Sequence, residues 1–352
     1  MCDPSLDALE TPALVLDVGR LERNLKRWQR YCDEVGLANR PHVKTHRVVE
    51  VARRQVDLGA AGITCQKLGE AEVMAAAGID DILIPYNILG ERKLSRLADL
   101  LRRVRVSVST DDAALLPGLA SAAAGAGREL GAFVECDTGL GRAGVDSPDR
   151  AARLAVAVAR VDGLAFSGFL TYPARPGMLE FLREATERAL RLGVETPVVS
   201  AGGTPTMWQA GDLVPTVTEY RVGTYVYHDR NTVAAGAASL DDVALTVLAT
   251  VVSRPAADRA IIDAGSKALA YDPGPDSGHG LLLEAPASRL PALSEEHGHV
   301  VVDPSDRLEL GQRVRVLPNH VCVVSNLFDE VWVAREGSVV DRWSVAARGR
   351  SQ

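Results

Sequence analysis

The chain has 352 residues, of which 47% are hydrophobic and 24% are charged, a composition typical of a folded globular protein. Its net charge of -7 comes from 39 basic and 46 acidic residues with no concentrated basic segment, so we expect no nucleic-acid partner. The chain has no apolar run of about 18 residues, so we expect no membrane association. It has no secretory signal, and its five scattered cysteines include no CxxC pair, so we expect a reducing, cytoplasmic location.

The first predicted element is the strand in TPALVLD, followed by a helix in VGRLERNLKRWQRYCDEVG. From residue 40 onward, short β-branched runs alternate with amphipathic segments such as 48–60, 69–79, 91–103 and 178–193. The strands predicted in this region number eight and are 41–45, 62–66, 81–86, 104–110, 131–137, 164–172, 197–203 and 220–226. Strands separated by helices form right-handed βαβ units, and eight units fit a closed (β/α)8 barrel or, alternatively, a doubly wound open sheet.

Polar residues recur where these predicted strands end. They are Lys44, Gln66, Tyr86, Thr110, Asp137, Tyr172, Ser200 and Tyr225. In a barrel, the carboxyl ends of the strands meet at one mouth, where barrel enzymes hold their catalytic groups. The alternative for any single residue is that a strand becomes polar as it leaves the core. The number of strands and the size of this set favour an α/β fold with a closed TIM-type barrel.

After about residue 240, strands follow one another without intervening helices. They lie in VALTVLATVVSR, AIIDAG, RVRVLPNHVCVV and the pair EVWVAR and SVVDRWSV, in which Glu336 and Gly337 mark a hairpin turn. This pattern predicts a C-terminal antiparallel β domain, to which the N-terminal strand is a candidate contributor. We expect the barrel over residues 16–238 and the β domain over residues 1–15 plus 239–352.

The stretch RPHVKTHR at 40–47 contains the first candidate site residue. On a strand, His42, Lys44 and His46 would share one face. A lysine that faces into a barrel is costly unless it is paired or has a lowered pKa, and such lysines form Schiff bases. The alternative is a lysine that reaches solvent at the mouth along its aliphatic stem. No independent feature assigns proton transfer to His42 or His46.

Two small or hydroxyl-rich loops follow the seventh and eighth predicted strands. SAGGTPT at 200–206 has paired glycines, which let backbone N–H groups approach an anion closely, and YRVGTYVYHDR at 220–230 adds a Gly-Thr-Tyr sequence. Phosphate sites of barrels commonly lie after these two strands. A glycine pair alone is more often a turn, but the two loops together predict a phosphate site.

Two further motifs carry candidate ligands. Arg142, in the glycine-rich DTGLGRAGV, is placed to bind an anionic ligand atom, although a surface or capping role is commoner. His320 and Cys322 in NHVC lie two positions apart on a predicted strand. An imidazole and a thiolate suit Zn²⁺, but two ligands fill only half of a tetrahedral site. The alternative is that the His-x-Cys spacing arose by chance. The lysine, the phosphate loops, the arginine and the metal pair together point to pyridoxal 5′-phosphate, bound to Lys44.

The motif order of the chain resembles the D-threonine aldolase and D-serine dehydratase family of fold-type III pyridoxal-phosphate enzymes, which are built like alanine racemase. The motifs are TPALVLDVGRLERNL, PHVKTH, ITCQKLGEAEVMAAAGIDDILI, DTGLGRAGV, SAGGTPT, TEYRVGTYVY, DAGSKAL and PNHVC. The resemblance covers nearly the whole chain. It implies a homodimer, a D-amino acid substrate and a divalent metal, either Zn²⁺ or Mn²⁺/Mg²⁺.

The resemblance also implies a role for each matching residue. Lys44 would be the Schiff-base lysine, Arg142 would lie near the phenolic oxygen of the cofactor ring, and Tyr172 would be the catalytic tyrosine that ends the sixth strand. His320 and Cys322 would be the metal ligands. Together with the strand-end residues, the predicted cofactor contacts are Lys44, Gln66, Arg142, Tyr172, Ser200, Gly202, Gly203, Thr204, Gly223, Thr224 and Tyr225.

Two departures from the family pattern bear on the reaction. The aldolases carry His-x-Asp at the metal pair, whereas His-x-Cys is similar to the D-serine dehydratases, and TYPARPGM lacks the histidine that aldolases place near the substrate hydroxyl. The segment CQKLGEAEVMAAAGI, by contrast, is more similar to the aldolases.

We therefore expect a metal-dependent lyase of D-3-hydroxy amino acids that releases glycine and an aldehyde by retro-aldol cleavage. The alternative is β-elimination to a 2-oxo acid and ammonia. An amino-acid racemase is less favoured because it would need a second base opposite Lys44. A non-catalytic pyridoxal-phosphate-binding protein is less favoured because such proteins are usually a barrel alone.

Overall fold

In the computed structural model, which describes residues 5–352, strands make up two separate sheets. In chain order the strands are β1 Ala13–Asp17, β2 Ala38–Asn39, β3 Ile63–Thr64, β4 Asp81–Ile84, β5 Arg105–Thr110, β6 Leu130–Cys136, β7 Leu164–Thr171, β8 Val198–Gly202, β9 Glu219–Arg221, β10 Leu245–Ala256, β11 Arg259–Ile262, β12 Gly280–Leu282, β13 Arg289–Leu293, β14 Gly298–Val301, β15 Arg313–Pro318, β16 Glu330–Arg335 and β17 Ser338–Ser344.

Helices separate most strands of the first half of the chain and become short in the second half. The α-helices are α1 Val18–Val35, α2 Val49–Asp57, α3 Leu68–Ala76, α4 Glu91–Arg103, α5 Leu116–Ala126, α6 Pro148–Ala159, α7 Met178–Arg191, α8 Arg230–Ala234, α9 Ser266–Leu269 and α10 Val321–Ser325. The 3₁₀ helices are Leu6–Ala8, Val43–Thr45, Ala113–Leu115, Thr204–Leu213, Thr224–Val226 and Leu240–Asp242. None of these helices, in the part of the chain that the structure describes, is long and apolar enough to cross a bilayer.

Eight strands form a parallel sheet in the order β2-β9-β8-β7-β6-β5-β4-β3. The two end strands, β2 and β3, meet where His42 and Thr64 form a parallel bridge. The Thr64 N–H donates to the Pro41 carbonyl, and the Ala61 N–H donates to the Asn39 carbonyl, each at 2.8 Å. The predicted (β/α)8 barrel is therefore confirmed.

Burial follows the sequence pattern that predicted these elements. Strand β6 is buried along nearly its whole length, because a barrel strand is covered by side chains inside and by helices outside. Helix α6 begins after its capping residue Ser147 and buries Ala151, Leu154, Ala155 and Val158, which recur at helical spacing. This helical spacing is why α6 covers the sheet with one face and leaves its other face to solvent.

The remaining strands form the second sheet, in the order β13-β14-β11-β10-β1-β16-β17, with β15 pairing β10 and β12. Neighbouring strands are antiparallel except for β1 and β16, and β1 comes from the N-terminal segment, as expected. Glu336 and Gly337 both have positive φ angles, 51° and 81°, which is the conformation that a two-residue hairpin turn between β16 and β17 requires. The predicted antiparallel β domain is confirmed.

Three predicted strands are partly helical in the structure. Residues 43–45, 224–226 and 321–325 are helical, although we expected strands over 41–45, 220–226 and RVRVLPNHVCVV. A side chain intervenes at two of these places: His42 Nδ1 accepts the Lys44 N–H at 3.4 Å, and the Asp229 carboxylate accepts the Val321 N–H at 3.2 Å. Each of these backbone donors is thus satisfied by a side chain and does not need a strand ladder.

The chain divides into two compact units. The barrel unit contains Trp28–Lys44, Val51–Gly223 and Arg350–Gln352, and the β unit contains residues 5–27, Thr45–Glu50 and Thr224–Gly349. Residues 1–4, including Cys2, lie outside the described residues. The domain bounds 16–238 and 1–15 plus 239–352 stay a prediction.

Gly168 is a testable constraint on the barrel. Its φ angle is +134°, and a Cβ atom would lie 1.8 Å from the Val198 carbonyl oxygen of the neighbouring strand. We expect Gly168→Ala to destabilise the chain by more than about 3 kcal/mol, because both the backbone angle and the strand pairing must change. Urea unfolding of the purified protein measures this effect.

Gly125→Ala is the matched control. Gly125 lies inside α5, and the nearest atom to its added Cβ is 3.8 Å away. Alanine is the better helix former, so we expect a gain of about 0.5–1 kcal/mol. Equal unfolding midpoints for the two variants would contradict the packing derived for β7 and β8.

Candidate active site

Lys44 lies beside His42, Gln66 and Tyr172 in the barrel unit. His42 Nδ1 accepts the Lys44 N–H, so its Nε2 carries the proton and donates to Gln66 Oε1 at 3.1 Å. Lys44 Nζ lies 5.8 Å from the centre of the Tyr172 ring. The imidazole of His42 therefore orients the backbone that carries Lys44.

His46 does not share a strand face with Lys44, because residues 43–45 are a 3₁₀ helix, so that expectation is wrong. His46 is fully buried in the β unit, where its Nδ1 lies 3.1 Å from the Val48 N–H nitrogen. Its contacts are those of a packed core histidine.

Arg142 and Tyr172 also lie together. The Arg142 guanidinium carbon is 5.3 Å from the centre of the Tyr172 ring, and Nη2 is 3.6 Å from Glu135 Oε1. Asp137 holds the glycine-rich loop that carries Arg142, because its carboxylate accepts the N–H groups of residues 139–141. These hydrogen bonds, the one from Gly141 foremost, lower the pKa of Asp137. The structure thus brings Lys44, Tyr172 and Arg142 to one place.

The SAGGTPT loop leaves no space for side chains at its first glycine. A Cβ atom at Gly202 would lie 2.3 Å from the Arg221 carbonyl oxygen, and Gly203 has a φ angle of +136°. A 3₁₀ helix begins at Thr204, and no side chain caps its first N–H groups. A helix start that no side chain caps, beside glycines, favours the close approach of an anion.

Ser200 belongs to a buried network of charges rather than to an open loop. Its hydroxyl accepts a hydrogen bond from Arg221 and donates to Glu219 Oε1 at 2.6 Å, and Arg221 also donates to the Thr171 carbonyl at 2.8 Å. Glu219 pairs in turn with Arg40 Nε at 2.6 Å. Burial lowers the pKa of Arg221.

Glu135 is a second buried carboxyl in the barrel. Burial raises its pKa, against the hydrogen bond that Ser109 Oγ donates to Oε2 at 3.0 Å and the charges of Arg142 and Arg221. Glu135 therefore connects the arginine of the glycine-rich loop to the charges inside the barrel.

His320 and Cys322 lie at the start of a helix, not on one face of a strand as predicted. His320 is the N-cap residue of α10 and Cys322 is in its first turn. His320 Nδ1 is 2.9 Å from Asp229 Oδ2, and Cys322 Sγ is 3.2 Å from Thr45 Oγ1 and 4.0 Å from Thr224 Oγ1. Each candidate ligand thus has a polar neighbour within the β unit.

The donor set suits a divalent metal. Burial lowers the pKa of His320, but hydrogen bonds to Asp229 and Cys322 outweigh this and raise the pKa to about 11, so the ring must lose a proton when it binds a metal. An imidazole and a thiolate are the donors that Zn²⁺ prefers. Among residues 5–352, no group of three or more His, Cys, Asp or Glu side chains is arranged to hold a metal.

The remaining predicted cofactor contacts do not all belong to the same unit. Gly223 is half-buried at the end of the barrel unit, whereas Thr224 and Tyr225 belong to the 3₁₀ helix of the β unit. The Thr224 carbonyl accepts the His228 N–H at 2.7 Å, and Tyr225 is buried.

Sequence reasoning missed Arg221, Glu219, Glu135 and Asp229. The signal for the first two was present, because Glu219 and Arg221 alternate with apolar residues on a barrel strand and so face the same side. Asp229 is also the N-cap of α8, and a capping residue followed by Thr232 gives no hint of a second partner in a distant segment.

Two family models match the chain. One, described as the alanine racemase N-terminal domain, matches residues 16–231, and the other, described as a putative serine dehydratase domain, matches residues 244–334.

Curated and solved relatives cover nearly the whole chain. D-threonine aldolase of Arthrobacter sp is 36% identical, with 99% of this chain and 95% of that protein covered. D-threo-3-hydroxyaspartate dehydratase of Delftia sp. is 35% identical, with 95% and 97% covered. The crystal structure of D-threonine aldolase from Filomicrobium marinum has a TM-score of 0.92 and 32% identity, with 100% and 99% covered.

The fold and these matches define a pyridoxal-phosphate lyase of fold type III. The chain belongs to the D-threonine aldolase and D-serine dehydratase family, as its motif order indicates.

The buried network predicts the effect of a substitution on stability. We expect Arg221→Met to lower the free energy of unfolding by about 3–5 kcal/mol, because it removes the donor to Ser200 and to the Thr171 carbonyl and a positive charge near buried carboxylates. Arg153→Met is the control, since Arg153 is an exposed residue whose pair with Asp149 contributes about 0.5 kcal/mol or less. Urea unfolding of both variants without cofactor measures the difference, and similar midpoints would contradict the network.

Proposed function

We propose that the chain is a pyridoxal-phosphate-dependent lyase that cleaves D-3-hydroxy amino acids to glycine and an aldehyde. The observation that carries this proposal is chain-long similarity to D-threonine aldolases, 36% identity to one and a TM-score of 0.92 to another. The grouping of Lys44, Tyr172 and Arg142 at the carboxyl ends of barrel strands supports it.

The residues of the barrel unit fit the cofactor. Lys44 would hold it covalently, with Gln66, Arg142 and Tyr172 around its ring. The start of the 3₁₀ helix at Thr204, which no side chain caps, fits a phosphate, and Gly203 takes a φ angle of +136° that other residues rarely adopt. When bound, the cofactor supplies an electron sink for negative charge at the substrate Cα.

His320 and Cys322 would hold a divalent metal, of which Zn²⁺ suits the donor pair best and Mn²⁺ or Mg²⁺ are the other candidates. Solved variants of a D-threo-3-hydroxyaspartate dehydratase replace a histidine and a cysteine that lie two positions apart, and the cysteine variant is in a metal-free form. The same spacing separates His320 from Cys322. The metal would supply Lewis acidity that lowers the pKa of a substrate hydroxyl.

The two reactions differ in which proton is removed. In retro-aldol cleavage, the substrate hydroxyl loses its proton and the Cα–Cβ bond breaks. In β-elimination, Lys44 Nζ removes the Cα proton and the hydroxyl departs. Tyr172 and Arg142 would orient the reacting groups in either case.

Elimination to a 2-oxo acid and ammonia is the second candidate reaction. It is favoured by the His-x-Cys pair and by 35% identity to a D-threo-3-hydroxyaspartate dehydratase. The similarity to two D-threonine aldolases over the whole chain favours cleavage. We further propose a cytoplasmic homodimer, by analogy with the family.

Borohydride trapping tests the role of Lys44. Reduction of the holoenzyme should attach the cofactor to Lys44 irreversibly, and peptide mass spectrometry should find it on that residue. Lys44→Ala should lose the visible Schiff-base absorption, whereas Lys26→Ala, which changes an exposed lysine of α1, should keep it. An unchanged spectrum in Lys44→Ala would refute the assignment.

Product analysis decides between the reactions. With D-threonine we expect glycine and acetaldehyde, and with D-threo-3-hydroxyaspartate glycine and glyoxylate. Elimination would instead give 2-oxobutanoate or oxaloacetate, each with ammonia. Chelation should abolish turnover while the cofactor absorption remains, and full turnover after metal removal would refute the metal role.

A further inference from the structure

Asp229 contacts the segment of the β unit that carries both candidate metal ligands. Its side chain is fully buried, and its Oδ2 atom lies 2.9 Å from His320 Nδ1 and accepts the Val321 N–H at 3.2 Å. Val321 is the residue between His320 and Cys322. A single carboxylate oxygen therefore fixes one ligand ring and the backbone between the two ligands.

The other carboxylate oxygen is also occupied. Asp229 Oδ1 accepts the Thr232 N–H at 2.8 Å, and Thr232 Oγ1 accepts the Asp229 N–H at 2.8 Å, so the two residues form a capping box on α8. With both oxygens held, the carboxylate cannot rotate away from His320. It is an anchored partner for the imidazole.

The hydrogen bond determines which ring nitrogen is available. A carboxylate accepts only, so His320 must donate from Nδ1, and the neutral ring then presents the lone pair of Nε2. His320 is one-third exposed at its side chain, whereas Asp229 is not exposed at all. Nε2 is the ring nitrogen that does not bond Asp229.

The preceding residue is fixed as well. Asn319 is buried, and its side-chain N–H₂ donates to the carbonyls of Asp272 and Gly278 at 2.9 and 2.8 Å, while its Oδ1 accepts from Arg230 at 2.8 Å. Residues 319–321 are thus held on both sides by groups of the β unit.

We propose that Asp229 is the positioning residue of the metal site, which fixes His320 in the tautomer that offers Nε2 to the metal and holds His320 and Cys322 at a constant separation. This inference rests on the proposed metal role of His320 and Cys322. Carboxylates that orient a ligating histidine in this way typically change metal affinity by roughly 10- to 100-fold when replaced.

Asp229→Asn tests the proposal and separates it from simple helix capping. Asparagine is as good an N-cap residue as aspartate, so α8 keeps its cap when the amide oxygen faces Thr232. The amide N–H₂ then faces His320 and Val321, where only an acceptor fits. The imidazole must then accept a hydrogen bond at Nδ1 and carry its proton on Nε2. Nε2 therefore has no lone pair with which to bind the metal.

The measurement is the Zn²⁺ affinity of the full-length protein with its cofactor bound. The metal is first removed, and Zn²⁺ is then titrated in the presence of a competing chromophoric chelator. We expect Asp229→Asn to bind Zn²⁺ roughly 10- to 100-fold more weakly than the unchanged protein. Thr232→Val is the matched control, because it removes the hydroxyl of the capping box but keeps the Thr232 N–H and the Asp229 carboxylate. It should lower the unfolding midpoint and leave the affinity unchanged.

Equal affinities of the unchanged protein and Asp229→Asn would refute the positioning role and leave the metal site itself intact. An equal loss in Thr232→Val would also refute it, because helix capping would then explain the effect. An unchanged protein that binds no Zn²⁺ would overturn the proposed metal role and this inference together.

A second measurement needs no variant and therefore does not depend on the folding of Asp229→Asn. The ¹⁵N chemical shifts of His320 in the Zn²⁺-loaded protein, assigned by comparison with His320→Gln, should show a protonated Nδ1 and a metal-bound Nε2. Coordination through Nδ1 would overturn the proposal.

Discussion

The burial of charge inside the barrel is the constraint on which the candidate site depends. Arg221 is buried, so its guanidinium needs Ser200 and the Thr171 carbonyl, and Glu219 needs Arg40. These partners belong to β7, β8, β9 and the end of β2, which are neighbours in the sheet order. The network therefore fixes the register of four adjacent strands, and the loops that carry Tyr172 and Gly203 begin where those strands end.

Patterns with a short period were sufficient to predict most of the fold. The alternation of β-branched runs with amphipathic segments predicted eight parallel strands, and Glu336 with Gly337 predicted the last hairpin, because side-chain spacing and turn angles are local properties. Local patterns were insufficient at 43–45 and 321–325. There, side chains accept backbone N–H groups that a strand would have used, and one of those side chains, Asp229, lies 92 positions away from its donor.

The candidate site was predictable only in part for the same reason. Lys44, Arg142 and Tyr172 end strands or follow them, so the barrel alone is sufficient to bring them together. The partners of these residues follow from packing. His42 resembled a member of a polar strand face but orients the Lys44 backbone, and Ser200 resembled a loop hydroxyl but completes the buried network. A sequence records the residue type at such a position, whereas the partner depends on which distant segments meet.

The chemistry of the metal pair follows from how few donors it has. A structural Zn²⁺ site is closed by four protein ligands, whereas a catalytic site keeps positions for water or substrate. Among residues 5–352, His320 and Cys322 have no third His, Cys, Asp or Glu side chain arranged to complete a metal site. Asp229 contacts His320, and its carboxylate oxygens are already bonded to His320, Val321 and Thr232. A metal held by this pair would therefore retain exchangeable positions, which suits a Lewis acid that binds a substrate hydroxyl and not a structural ion.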